Sequence, residues 1–143
     1  MNDTTKFLGI DYGEKKIGLA IGDSETKIAS PYKILINNKG LLEKIKDICV
    51  KEEIGKIVVG LPLTLKSSTS KQTQSVLNFI EKLKKATYLE IIEQDERLSS
   101  AYAKSLLGGR ASARLRQGFS GHGDDDVAAM IILQSYLDER KEG

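Results

Sequence analysis

A chain of 143 residues with 40% apolar and 29% charged residues has the size and balance of one domain with a full core. Its net charge of +2 is too small to argue nucleic-acid binding by itself. One cysteine rules out an internal disulfide or a cysteine-based zinc cluster, and one histidine rules out a multi-histidine metal site.

Phe7 to Asp23, FLGIDYGEKKIGLAIGD, reads as two antiparallel strands joined by a tight turn, with Gly13 and Gly18 where the backbone needs room. Asp11 stands out. It follows an apolar run suited to the middle of a sheet, where a carboxylate costs free energy unless paired, hydrogen-bonded or bound to a cation. It is either an active-site acid or a turn residue just outside the core. Lys27 to Ile36 is expected as a third strand, with Pro31 marking an edge or bulge. A helix should follow on the apolar spacing of Leu41, Leu42, Ile45, Ile48 and Cys49, ending at Gly55. Cys49 on that helix reads as a small buried hydrophobe.

Lys56 to Gly60 predicts a short strand covered on both faces, hence parallel. Leu63 to Gln74 is polar and predicts a loop entering a helix whose core face is Val76, Phe79, Ile80 and Leu83. Tyr88 to Ile92 is the next strand, running out at Glu93 to Arg97. Ser99 is a candidate N-cap for a helix through Leu107, and 108–123 a Gly/Ser/Arg-rich loop. The last helix is expected from about Asp124 to Arg140. Its opening aspartates suit the positive end of the helix dipole, and its apolar middle predicts deep packing. The expected architecture is one α/β domain, 1–143, with a mixed sheet and helices on both faces. No apolar run reaches the length of a membrane span and Met1 to Lys6 lacks the apolar core of a signal peptide, so the expected location is cytoplasmic, with no membrane partner.

Ligands gather at the carboxyl ends of parallel strands. Asp11, Asp95 with Glu96, and the aspartates at 124–126 all fall at such ends or at the start of the last helix. Each group has an ordinary reading as turn, strand-end ion pair or helix cap; three groups at one edge are less easily a coincidence. Converging carboxylates repel unless a cation lies between them, and oxygen-only ligands suit Mg²⁺ or Mn²⁺. From Arg97 to Gly123 there is no acid, while Arg97, Lys104, Arg110, Arg114 and Arg116 lie there. This is either a solvated charge cluster or an arm that contacts phosphates. Lys15, Lys16, Lys66 and Lys71 would extend that surface, and a nucleic acid is the matching partner.

The stretches GIDYGEKKIGLAIGD, IVVGLPL, DERLSSAYAKSLL and DDVAAMIILQSYLD, in this order and spacing, resemble the YqgF (RuvX) family of the RNase H-like superfamily, which includes the RuvC Holliday-junction resolvases. The resemblance runs from about Leu8 to Leu137. It implies an RNase H-like (RuvC-like) fold with a five-stranded sheet, and a nuclease of structured nucleic acid that processes the 5′ end of pre-16S rRNA in ribosome biogenesis. Junction resolution is the older proposal for the family. Carried over, Asp11 matches the first-strand aspartate and Glu96 the acid of the DER motif. The family aspartate precedes two alanines by three and four positions, which selects Asp125. These three are the implied catalytic and metal residues; Lys15, Lys16, Arg97, Arg110, Arg114 and Arg116 are the substrate-binding candidates. The sequence departs from the pattern at Ala128, where RuvC-like enzymes carry a further aspartate, and at Lys66-Ser67, where the family has an Asp-Gly pair. The chain is expected as a monomer or weak homodimer.

Two rival readings differ in class. The hairpin is similar to the phosphate-binding motif of actin- and sugar-kinase-like ATPases, which need two such domains where this chain has length for one. A ribosome-assembly factor that binds nucleic acid without cutting it would use the arginine segment and need no metal.

Overall fold

The computed structural model describes residues 4–61, 71–95 and 125–139, with residues 125 and 126 described by backbone only. The described elements are β1 (Lys6–Tyr12), β2 (Lys16–Asp23), β3 (Ser30–Ile36), α1 (Leu41–Lys51), β4 (Lys56–Leu61), α2 (Lys71–Thr87), β5 (Glu90–Asp95) and α3 (Asp125–Glu139). The helix expected at 99–107 and the loop expected at 108–123 lie outside the described residues, as does 62–70.

The strands form one five-stranded sheet in the order β3-β2-β1-β4-β5. β1, β2 and β3 pair as an antiparallel meander, while β4 pairs in parallel with both β1 and β5. The oldest part of the chain in sequence order, β1, is therefore the centre of the sheet. Its residues alternate between two cores. Leu8 and Ile10 face a cluster closed by α1 and α2, with Ile45, Ile57, Ile80 and Leu83. Phe7 faces the opposite cluster, closed by Ala129, Leu133 and Leu137 of α3. Full burial of each large side chain here stabilises the fold by roughly 1.5–3 kcal/mol.

Pro31 lies in edge strand β3, and the β2–β3 register shifts between Leu19 and Ala20, where Leu19 pairs with Lys33 and Ala20 with Pro31. The missing proline N–H is tolerated at such a place. Gly13 is required: a Cβ there would sit 2.5 Å from the Lys16 carbonyl oxygen.

Several boundaries differ from the expected ones, each for a local reason. The third strand starts at Ser30 rather than Lys27, because Lys27 takes a positive φ of 57° and donates its N–H to the Asp23 carbonyl in a turn. Helix α1 stops at Lys51, not at Gly55. Glu53 takes the left-handed conformation (φ 57°), the Ile54 N–H donates to Cys49 O at 2.9 Å and the Glu53 N–H to Val50 O at 3.3 Å, a Schellman-type ending. Gly55 instead leads into β4, its N–H on Lys6 O. Likewise Tyr88 (φ 60°) terminates α2, so β5 begins at Glu90 and reaches Asp95. Among the described residues no helix is long and apolar enough to cross a membrane.

Candidate functional site

Asp11 lies inside β1, paired across the ladder with Gly18 of β2, so the turn-residue reading does not hold. It is half-buried. Strand alternation puts it on the same face as Phe7 and Gly9, the face α3 covers, and puts Tyr12 on the other, where its ring meets Phe79 at 4.5 Å between centroids. The positions beside Asp11 carry no side chain. Gly18 is its partner on one side, and the β1–β4 register, which pairs Ile10 with Val59, brings Gly60 to the other when carried on by one residue.

Helix α3 crosses this face in a fixed direction. A Cβ on Gly9 would meet Leu133 Cβ at 2.8 Å and Ala129 O at 3.1 Å, and one on Gly22, opposite Phe7, would meet Leu137 Cδ1 at 3.1 Å. Tyr136 packs edge-on to Phe7, ring centroids 5.5 Å apart. The helix therefore advances from the carboxyl end of β1 toward its amino end. Asp125, its first residue, lies one turn before Ala129, on the Asp11 side. Gln134 holds the other half: its Oε1 accepts from Ala29 N and its Nε2 donates to Lys27 O, both at 2.8 Å. On β5, Gln94 donates to Ser135 Oγ at 3.1 Å and Glu139 Oε2 at 3.0 Å, tying the strand to the same helix.

The structure thus brings Asp11 and the start of α3 to one end of the sheet. Glu96, Arg97, Arg110, Arg114 and Arg116 lie outside the described residues, and nothing is described of the Asp125 side chain. Asp95 is the last residue of β5, and by alternation from Ile91 it belongs to the α1/α2 face, away from Asp11. Among the described residues no three His, Cys, Asp or Glu side chains cluster as metal ligands. What is described of the donor set fits a hard divalent cation: an oxygen donor, Asp11, held in the central strand beside glycine, with an acid-bearing helix start at the same end.

Lys15, in the β1–β2 turn, and Lys16, the first residue of β2, are exposed. They line a cleft of about 800 Å³ with Lys71, Gln72 and Ser75 at the start of α2. Sequence reasoning named Lys71 but not Gln72, Ser75 or Tyr12; the helical spacing along α2 is the signal that would have found Ser75.

Several described groups away from Asp11 carry displaced pKa values. At the amino end of β1, N–H donors of Thr26 and Glu25 hold the Asp23 carboxyl below the usual range, and Lys6 and the Tyr32 hydroxyl do the same for Glu52. Burial pushes Asp138 up, and burial pushes the Cys49 thiol up to about 11, so it is a protonated, inert group at neutral pH.

Residues 5–139 match the sequence model of the RuvX family, described as Holliday junction resolvase. A protein of Orientia tsutsugamushi (strain Ikeda) named "Putative pre-16S rRNA nuclease" is 41% identical over 134 residues, covering 92% of this chain and 83% of the relative. One of Sulfurihydrogenibium sp. with the same name is 36% identical over 136 residues, covering 94% and 90%. Among solved structures, Thermus thermophilus RuvC in complex with a Holliday junction substrate superposes with a TM-score of 0.65 at 12% identity, covering 95% of each chain. That likeness concerns the fold, an RNase H-like mixed sheet between helices. The match along nearly the whole sequence establishes that this chain belongs to the RuvX family.

Proposed function

We propose that the protein is a divalent-metal-dependent endonuclease of structured nucleic acid, and that it processes the 5′ end of pre-16S rRNA in ribosome biogenesis. The observation that carries the reading is Asp11, a carboxylate within the central strand on the face covered by α3, whose acid-bearing start points to the same end of the sheet. The name borne by relatives at 35–41% identity supplies the substrate. A second reading, cleavage of branched DNA, is favoured by the family's description and by the RuvC-like fold.

Asp11, Glu96 and Asp125 are the residues that would hold Mg²⁺ or Mn²⁺. The ion supplies a water of lowered pKa and positive charge for the leaving oxygen. The chain's own residues do the rest. Asp11 fixes the position of the site, because the central strand is its least mobile support. Lys15 and Lys16, with Arg97, Arg110, Arg114 and Arg116, hold phosphates without reading sequence. The chain has no thiol competent for attack, since Cys49 is buried and protonated. Asp11→Asn keeps the shape and removes the charge. It should fold as the parent does while cleavage of a pre-16S 5′ transcript in Mg²⁺ or Mn²⁺ falls by orders of magnitude. The same assay with a four-way DNA junction separates the two substrates. Equal cleavage by parent and Asp11→Asn would overturn the site, leaving the non-cutting assembly factor as the better reading.

A further inference from the structure

Helix α2 carries a polar stripe. Lys71, Ser75, Asn78 and Lys82 recur at helical spacing and share one face, over about 16 Å. Two recesses run along it. The first is the cleft of about 800 Å³ bounded by Lys15, Lys16 and Lys71. The second, about 350 Å³, lies between α2 and the β3–α1 junction, where Asn38, Lys39, Asn78 and Lys82 line it. Tyr12 and Ser75 line both, so the recesses adjoin. Among the described residues, Lys15, Lys16, Lys39, Lys71 and Lys82 are in no ion pair, and Glu14 is the one acid lining either recess.

The walls are held in place. The Asn37 side-chain amide donates to Gly13 O at 2.8 Å and its backbone N–H to Lys15 O at 2.9 Å, which pins the hairpin turn to the end of β3. Tyr12 is fixed against Phe79. Asn38 Oδ1 accepts from Gly40 N at 3.0 Å and Asn78 Oδ1 accepts from Gln74 Nε2 at 3.1 Å. Each asparagine therefore keeps its NH₂ donors for a ligand, among the described residues. The track begins at the turn that closes β1, immediately after Asp11 and Tyr12, and leads away from the α3 face.

We propose that this track binds a single-stranded extension of the nucleic-acid substrate, its phosphates on the lysines and its base edges toward Asn38 and Asn78. The inference rests on the proposed function, in that the ligand is a nucleic acid. A duplex offers phosphates at its surface and keeps its base edges paired, whereas a single strand presents both to a recess with amide donors. An acidic polypeptide would satisfy the lysines, but continuity with the end of β1 that carries Asp11 favours a strand of the substrate.

The test is fluorescence anisotropy with the full chain, without divalent metal, using labelled RNA hairpins that share one stem. One is blunt; the other carries a six-nucleotide single-stranded extension. The parent should bind the extended probe at least fivefold more tightly than the blunt one, with a salt slope steeper by about 0.7 per added phosphate contact. Asn78→Ala combined with Lys82→Glu, both at exposed positions, should erase that difference and leave blunt-probe affinity unchanged, which also reports an intact fold. Equal binding of both probes by the parent, or equal weakening of both in the variant, would overturn the track and favour a protein ligand there. Binding of neither probe would overturn the proposed function with it. Absence of cleavage, by contrast, would leave this result untouched.

Discussion

Glu53 occupies a backbone conformation, φ 57°, that costs a residue with a Cβ about 1–2 kcal/mol and glycine almost nothing. The Schellman-type ending of α1 needs that conformation, since Ile54 N must reach back to Cys49 O. Glu53→Gly should therefore raise stability by about 0.5–1 kcal/mol after glycine's larger entropy in the unfolded chain is subtracted. Urea titration would show a higher midpoint at an unchanged slope, and a lower midpoint would mean that the glutamate side chain contributes more than its backbone strain costs. Sequence reading passed over Glu53 because Gly55, two residues on, is the stronger textual cue for a helix end. The left-handed residue was set by where Ile54 and β4 had to go, which local sequence does not record. Tyr88 repeats the case at the end of α2.

At the scale of elements, the β2–β3 connection depends on a charge. The Asp23 carboxylate accepts from Thr26 N at 2.7 Å, Glu25 N at 3.0 Å and the Thr26 hydroxyl at 3.1 Å, and these donors hold its pKa down. A folded pKa below the unfolded one means stability that is present above the ordinary carboxylate pKa, about 3.9, and lost as pH falls through the lower folded value. Asp23→Ala should cost about 1 kcal/mol at pH 7, and the gap to the parent should narrow in thermal melts taken below pH 4. A gap that does not change with pH would assign the cost to packing alone. The meander itself was legible: two apolar runs around a glycine-bearing turn marked β1 and β2, and Pro31 marked an edge or bulge in β3. The apolar faces of α1 and α2 were legible for the same reason, a period matching a buried side. The polar stripe on α2 was not, because in sequence Lys71, Ser75, Asn78 and Lys82 look like any solvated helix face. Only the hairpin turn and α1 standing opposite turn that face into the wall of a recess.

For the whole molecule, charge distribution matters more than its sum. With a net charge of +2 the chain has little overall field, so affinity for a polyanion must come from local groups. Replacing Arg110, Arg114 and Arg116 together by alanine should weaken binding across unrelated sequences and flatten its log–log salt dependence, by at most about one unit per lost contact. An unchanged slope would remove them from the interface. The candidate site was legible in sequence to the extent that an aspartate after an apolar run is costly; its relation to α3 was not, since it depends on Gly9 admitting the helix close to the sheet. That close approach also bears on the order in which the molecule is made. The meander emerges first and can pair at once, but one side of it, with Phe7 and Ala20, is covered among the described residues by α3, the last of them. Until residues 125–139 arrive, the apolar side chains that α3 packs against lack that cover, and exposed apolar surface is of the kind that chaperones hold and proteases attack. A copy that stops short of residue 125 should thus be degraded sooner than the full chain, which pulse-labelling would show as a shorter half-life.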